Sequence, residues 1–156
     1  SPEGIHITLK FLGNIATEKV TDITQAITEV VKGIKPFHLE PQGLGAFPNL
    51  KFPRVVWVGL GGDIQSITNL QRRIDQALLP LGFPTEARGF SPHLTLGRTR
   101  DKATSQERSH LGEAVSSLEF EGRAPFLVDK ISFMRSTLTS KGAIYNRLAS
   151  ILFDRD

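Results

Sequence analysis

The sequence predicts an α+β fold of mainly antiparallel sheet with helices packed outside, arranged as two related halves facing a shared cleft. Three observations carry this prediction. Several short stretches alternate apolar and polar residues at period two, and three longer ones repeat apolar residues at helical spacing. The triplet His-x-Thr occurs twice, at His6-Ile7-Thr8 and His93-Leu94-Thr95, each time in a strand-like run that leads into a helical one. Strands in hairpin-like pairs, separated by single helices, fit antiparallel sheet better than a doubly wound parallel one.

In order, Ile5, Ile7, Leu9 and Phe11 alternate with His6, Thr8 and Lys10, a half-buried strand ending near Gly13-Asn14. From Thr17 to Gly33 the residues Val20, Ile23, Ala26, Ile27, Val30 and Val31 mark an amphipathic helix, with Thr17 as the expected N-cap and Gly33 as the stop. Pro36 to Glu40 reads as a short strand, followed by a Gly/Pro loop over Gly43–Asn49. Arg54 to Leu60 reads as a buried strand closed by Gly61-Gly62. Asp63 caps a second helix whose face is Ile64, Ile67, Leu70, Ile74, Leu78 and Leu81, with Pro80 disturbing its last turn. Phe83 to Phe90 is irregular or extended, and Ser91-Pro92 opens the second His-x-Thr strand. Thr104 and Glu107 form a capping-box pattern before a third helix, with Leu111, Ala114, Val115 and Leu118 on one face. Two strands close the chain: one from Phe126 to Phe133, the other from Ile144 to Phe153, across a Ser/Thr/Gly loop over Ser136–Gly142.

Composition narrows the function. A length of 156 residues suits one domain. Cysteine is absent, which excludes disulfides, thiolate metal sites and cysteine nucleophiles and fits a reducing, cytoplasmic setting. No apolar run approaches the roughly 18 residues of a membrane span, and nothing reads as a signal peptide. The excess of Lys and Arg over Asp and Glu, 19 − 16 = 3, accommodates a phosphate-bearing ligand without implying a broad nucleic-acid-coating surface. Phosphate-loop, nucleophile-elbow and dinucleotide fingerprints are missing.

In a strand, residues two apart share a face, so each histidine stands beside a threonine hydroxyl while Ile7, Leu9, Leu94 and Leu96 turn to the core. A pair of histidines flanking a phosphodiester supplies a base to activate water and an acid to protonate the departing sugar oxygen. Thr8 and Thr95 then hydrogen-bond the non-bridging oxygens. Arg98 is the best cation to join them and Lys10 a weaker one. Strict alternation sets Arg98 on the face opposite His93, so its recruitment requires the strand to end or bulge at Gly97. A shared zinc would want three or four ligands, and neither His38 nor His110, both expected at the surface, has a partner at ligand spacing. Phe11, Phe47 and Phe90 are candidates for stacking on a base, with core packing the expected role of Phe11.

Three segments together resemble a known family: His6-Ile7-Thr8-Leu9-Lys10-Phe11-Leu12-Gly13, Gly43-Leu44-Gly45-Ala46-Phe47-Pro48 and Ser91-Pro92-His93-Leu94-Thr95-Leu96-Gly97-Arg98. They look like the 2H phosphoesterase superfamily, specifically its RNA 2′,3′-cyclic phosphodiesterases, first described as 2′-5′ RNA ligases. The resemblance implies two pseudo-symmetric lobes of antiparallel sheet with outer helices around a central cleft, the LigT-like fold. It implies metal-independent hydrolysis of terminal 2′,3′-cyclic phosphates on RNA ends or small nucleotides to 2′-phosphomonoesters, without a cofactor, by a monomer. His6 would be the proton donor to the leaving 3′ oxygen and His93 the acceptor that activates water, with Thr8, Thr95 and Arg98 holding the phosphate. Reversible 2′-5′ ligation is a further activity it implies. The other reading is an RNA- or nucleotide-phosphate-binding module of the same fold without turnover. Relatives begin with a strand and a long helix ahead of the first motif, so residues 1–156 are expected to be one bilobal domain without those two elements.

Overall fold

The structure, a computed structural model, describes residues 6–117 and 124–155. Ile5 and Leu118, assigned above to the first strand and the third helix, lie outside these. The elements run α1 (Lys19–Val31), β1 (Phe37–Phe47), β2 (Val55–Gly62), α2 (Ile64–Leu78), β3 (His93–Arg98), α3 (Ser105–Ser117), β4 (Phe126–Val128), β5 (Lys130–Thr139) and β6 (Gly142–Leu152). A four-stranded sheet has the order β3-β2-β1-β4, and β5 and β6 form a second sheet. The pairings β1–β2, β2–β3 and β5–β6 are antiparallel. Two compact units divide the chain: one holds the chain through Thr8, His38–Ile64 and Ser91–Phe126, the other Leu9–Phe37, Gln65–Phe90 and Leu127–Asp156.

In the first unit, the short strand and Gly/Pro loop expected after Pro36 form one long strand, β1. Its register against β2 shifts between Pro41 and Leu44, and Gly43 there takes a φ of 73°. The bulge accommodates a proline that cannot donate to the ladder, so the strand survives a residue that sequence reasoning treats as a breaker. The strand β2, expected to be buried, is so only at Val58 and Gly61; its other residues are half-buried or exposed. The capping box forms as predicted: the Thr104 N–H donates to Glu107 Oε2 at 2.8 Å and the Glu107 N–H to Thr104 Oγ1 at 3.1 Å. On α3 Val115 is buried and Leu111 half-buried as expected, Ala114 is exposed, and Gly112 joins the buried side. A Cβ on Gly112 would lie 1.7 Å from the Leu50 carbonyl oxygen, so that approach turns the helix.

In the second unit, α1 buries Ile23, Ile27, Val30 and Val31, and α2 buries Ile67, Leu70, Ile74 and Leu78. Thr17 does not cap α1; the N-cap is Glu18, without a side-chain capping bond. Gly33 stops the helix in the left-handed region at φ 81°. Pro80 falls in a 3-10 turn over Leu79–Leu81 that follows α2 and ends at Gly82, φ 97°. The expected strand from Phe126 to Phe133 divides at Asp129 into β4 and β5, which belong to different sheets. The expected Ser/Thr loop is instead the distal half of the β5–β6 hairpin, turning only at Ser140-Lys141. Threonine suits a strand as well as a loop, and the Thr139 hydroxyl accepts from the Lys141 N–H at 3.3 Å to tie the turn. At the base of the hairpin Phe37 stacks on Phe153, ring centroids 6.1 Å apart.

Candidate active site

The site is built by register within the first unit. Residues directly opposite one another in a ladder point to the same side of the sheet. Along β2 and β3 the partners are Gly59 with His93, Trp57 with Thr95 and Val55 with Arg98, and between Trp57 and Val56 the register shifts so that Leu96 has no partner. Were Leu96 paired in strict alternation, Arg98 would fall on the face opposite His93; with Leu96 bulged out of the ladder, His93, Thr95 and Arg98 share one face. The bulge lies one residue before Gly97.

The first motif joins the edge of the same strand. Ile7 bridges Leu94 in antiparallel sense, and both side chains are half-buried while His6 and Thr8 are exposed. His6 and Thr8 flank the bridging residue in sequence, and His93 and Thr95 flank its partner Leu94. Among the described residues only this one bridge is formed, so the first predicted strand is shorter than its alternating pattern suggests.

His93 is held from two sides. Its Nδ1 lies 2.8 Å from the Ser91 carbonyl oxygen. A carbonyl only accepts, so Nδ1 carries the proton and, in the neutral ring, Nε2 keeps the lone pair. The imidazole also packs on an aromatic wall, with Phe47 edge-on at 5.2 Å and Trp57 tilted at 6.1 Å between ring centroids. Phe47 and Trp57 contact each other at 5.4 Å. Room for the indole comes from Gly45, its ladder partner, where a Cβ would meet the ring at 2.2 Å. The Trp57 Nε1–H is buried and has no hydrogen-bond partner among the described residues. Sequence reasoning missed Trp57 because it treated its strand as buried on both sides. The available signal was a lone tryptophan two residues from a glycine on the same face.

Lys10 and Phe11 belong to the second unit, as does Phe90. The Lys10 ammonium pairs with Asp75 and also donates to the Pro84 carbonyl at 2.8 Å, its side chain 4% exposed. Burial alone pushes the Asp75 carboxyl up and is the largest single influence. The hydrogen bond from Lys10, the Glu86 N–H at 2.9 Å and the Lys10 charge outweigh it and hold the group below its ordinary value. Phe11 is 79% exposed rather than in the core, because the strand pairing does not extend beyond Ile7. Phe90 is half-buried. His38 and His110 are exposed, as expected. Among the described residues no group of three His, Asp or Glu is placed to hold a metal ion, and no helix is long and apolar enough to cross a membrane.

A sequence model of the 2′-5′ RNA ligase superfamily matches residues 3–139. The chain belongs to that superfamily. Among similar proteins, the RNA 2′,3′-cyclic phosphodiesterase of Methanothermobacter thermautotrophicus is 35% identical over 144 residues, 92% of this chain and 76% of that protein. The protein of that name from Archaeoglobus fulgidus is also 35% identical, over 94% of this chain and 78% of its own length. Crystal structures of similar fold share the α+β architecture. TT0787 of Thermus thermophilus superposes with a TM-score of 0.78 at 22% identity, covering 100% of this chain and 81% of its own. Escherichia coli LigT complexed with 3′-AMP gives 0.74 at 20% identity, over 99% and 80%.

Proposed function

We propose that this chain hydrolyses 2′,3′-cyclic phosphates on RNA ends or nucleotides to 2′-phosphomonoesters, with His6 as proton donor, His93 as proton acceptor and no metal ion. The observation that carries this reading is the single face shared by His93, Thr95 and Arg98 beside the bridged first motif, with Nδ1 of His93 committed to a backbone carbonyl. The names of the relatives support the substrate class.

As water's oxygen bonds to phosphorus, its proton passes to Nε2 of His93. The P–O3′ bond breaks and the imidazolium of His6 protonates the 3′ oxygen. The Thr8 and Thr95 hydroxyls and the Arg98 guanidinium donate to the non-bridging oxygens, where charge accumulates in the transition state. A 5′-hydroxyl in place of water attacks the same cyclic phosphate, the P–O3′ bond breaks, and a 2′-5′ phosphodiester with a free 3′-hydroxyl forms, a minor course in dilute RNA.

The test is a 2′,3′-cyclic-phosphate oligonucleotide incubated with EDTA, with 2′- and 3′-phosphate products resolved. Retained formation of the 2′-phosphate, a bell-shaped dependence of kcat/KM on pH, and losses of about 10²–10⁴-fold in His6→Ala and His93→Ala are expected. Abolition by the chelator, or full activity in either single variant, overturns the mechanism. Tight binding without product over long incubation moves the reading to a phosphate-binding module of the same fold.

A further inference from the structure

The sequence carries four cations, Lys130, Arg135, Lys141 and Arg147, and no carboxylate from Lys130 to Phe153. The rest of the chain has 19 − 4 = 15 cations against 16 acids, a net of −1, so the whole positive excess of the protein resides in the β5–β6 hairpin. The flanking acids are engaged: Asp129 accepts from Arg155 at 3.3 Å, and a carboxylate oxygen of Asp154 accepts from the Gly33 N–H.

The register sorts the hairpin's side chains. One face is buried at its base, at Ile131, Phe133 and Ile151, and exposed beyond it, where it carries Arg135, Thr137, Ile144 and Asn146. The other carries the pairs Lys130 with Leu152, Ser132 with Ser150, Met134 with Arg147, Ser136 with Tyr145 and Leu138 with Ala143. Every member of that second set is exposed except the half-buried Ser132. The shift between Phe133 and Met134 leaves Leu148 unpaired and brings Arg147 onto this face, beside Tyr145 and about 7 Å from it along the strand. An open sheet surface with an aromatic ring, flexible apolar side chains, hydroxyls and cations, and without a carboxylate, matches a single-stranded nucleic acid. Bases stack on the ring and phosphates pair with the cations.

We infer that this face of the β5–β6 hairpin binds single-stranded RNA, with Tyr145 as the stacking residue and Lys130 and Arg147 as the phosphate contacts. The choice of RNA over another polyanion rests on the proposed function, and the surface is separate in sequence from the histidine motifs.

The test is fluorescence anisotropy with a labelled 12-nucleotide single-stranded RNA ending in a 3′-hydroxyl, alongside turnover of a 2′,3′-cyclic mononucleotide. Tyr145→Ala is expected to weaken RNA binding about tenfold, with Tyr145→Phe restoring it. Lys130→Ala/Arg147→Ala should lower the slope of log affinity against log salt by about 1.4, two contacts at about 0.7 each. Arg135→Ala, on the other face, should leave affinity within about twofold, the scale of a distant surface charge. Mononucleotide turnover should be unchanged in all four variants. An equal loss in Arg135→Ala and in Lys130→Ala/Arg147→Ala, no loss in Tyr145→Ala, or equal affinity for inorganic polyphosphate overturns the inference. Absence of mononucleotide turnover in the unaltered protein with RNA binding intact overturns the proposed hydrolysis and leaves this surface standing.

Discussion

Two cations follow the two His-x-Thr motifs, Lys10 after the first and Arg98 after the second, and they reach opposite environments. By simple alternation Lys10 shares the face of His6 and Thr8, whereas Arg98 does not share that of His93. The structure reverses both. Lys10 leaves the strand and is buried against Asp75 in the second unit, while the unpaired Leu96 turns Arg98 onto the face of His93. Alternation holds only while the ladder does. A pairing that ends after one bridge frees the residues beyond it, and one that bulges inverts them.

The largest expected effect that separates the two cations is catalytic. Arg98→Ala should lower kcat for cyclic-phosphate hydrolysis by about 10²–10³, as loss of a transition-state donor does, with little change in Tm. Inserting one alanine between Gly97 and Arg98 should match that loss, because a one-residue slip turns the guanidinium to the other face. Deleting Leu96 removes the bulge yet keeps Arg98 on the face of His93, so most activity should survive; a loss as deep as that of Arg98→Ala breaks the register argument.

Lys10→Met should show the converse: roughly 3–5 kcal/mol of stability lost by leaving Asp75 buried and unpaired, read from denaturant unfolding, with kcat per folded molecule unchanged. The pair also sets an acid limit. Asp75 is held lower in the folded protein than in the unfolded chain, so its contribution is complete above about pH 4, the ordinary carboxylate value, and is lost as pH falls through the folded value. Tm should therefore drop more steeply below about pH 4 in the unaltered protein than in Lys10→Met/Asp75→Leu. The smallest effect belongs to the aromatic wall. Trp57→Ala should reduce kcat/KM about 2–10-fold through a looser His93, and Trp57→Phe, which keeps a ring and removes an unsatisfied N–H, by less.

Local pattern carried much of the fold. The helix faces of α1 and α2, the Gly33 stop and the Thr104–Glu107 box follow from side-chain spacing within one or two turns, and all are present. The shared face of His93 and Thr95 was legible for the same reason, since a strand face is set by its immediate neighbours. What escaped depends on a second strand. Pro41 remains within β1 because β2 tolerates a shifted register, Asp129 separates two sheets that its own sequence does not distinguish, and Trp57 joins the site because Gly45 across the ladder leaves space. Phe47, which sequence left open between core and ligand, is drawn to His93 by the same pairing.

The acceptor that orients His93 is the carbonyl of Ser91, and every residue type at position 91 has one. Ser91→Ala is therefore expected to be silent, and a scan of side chains would pass over the contact altogether. The tautomer is inherited with the path of the backbone through Ser91-Pro92 rather than with any residue's identity. Sequence drift at position 91 can proceed without eroding it.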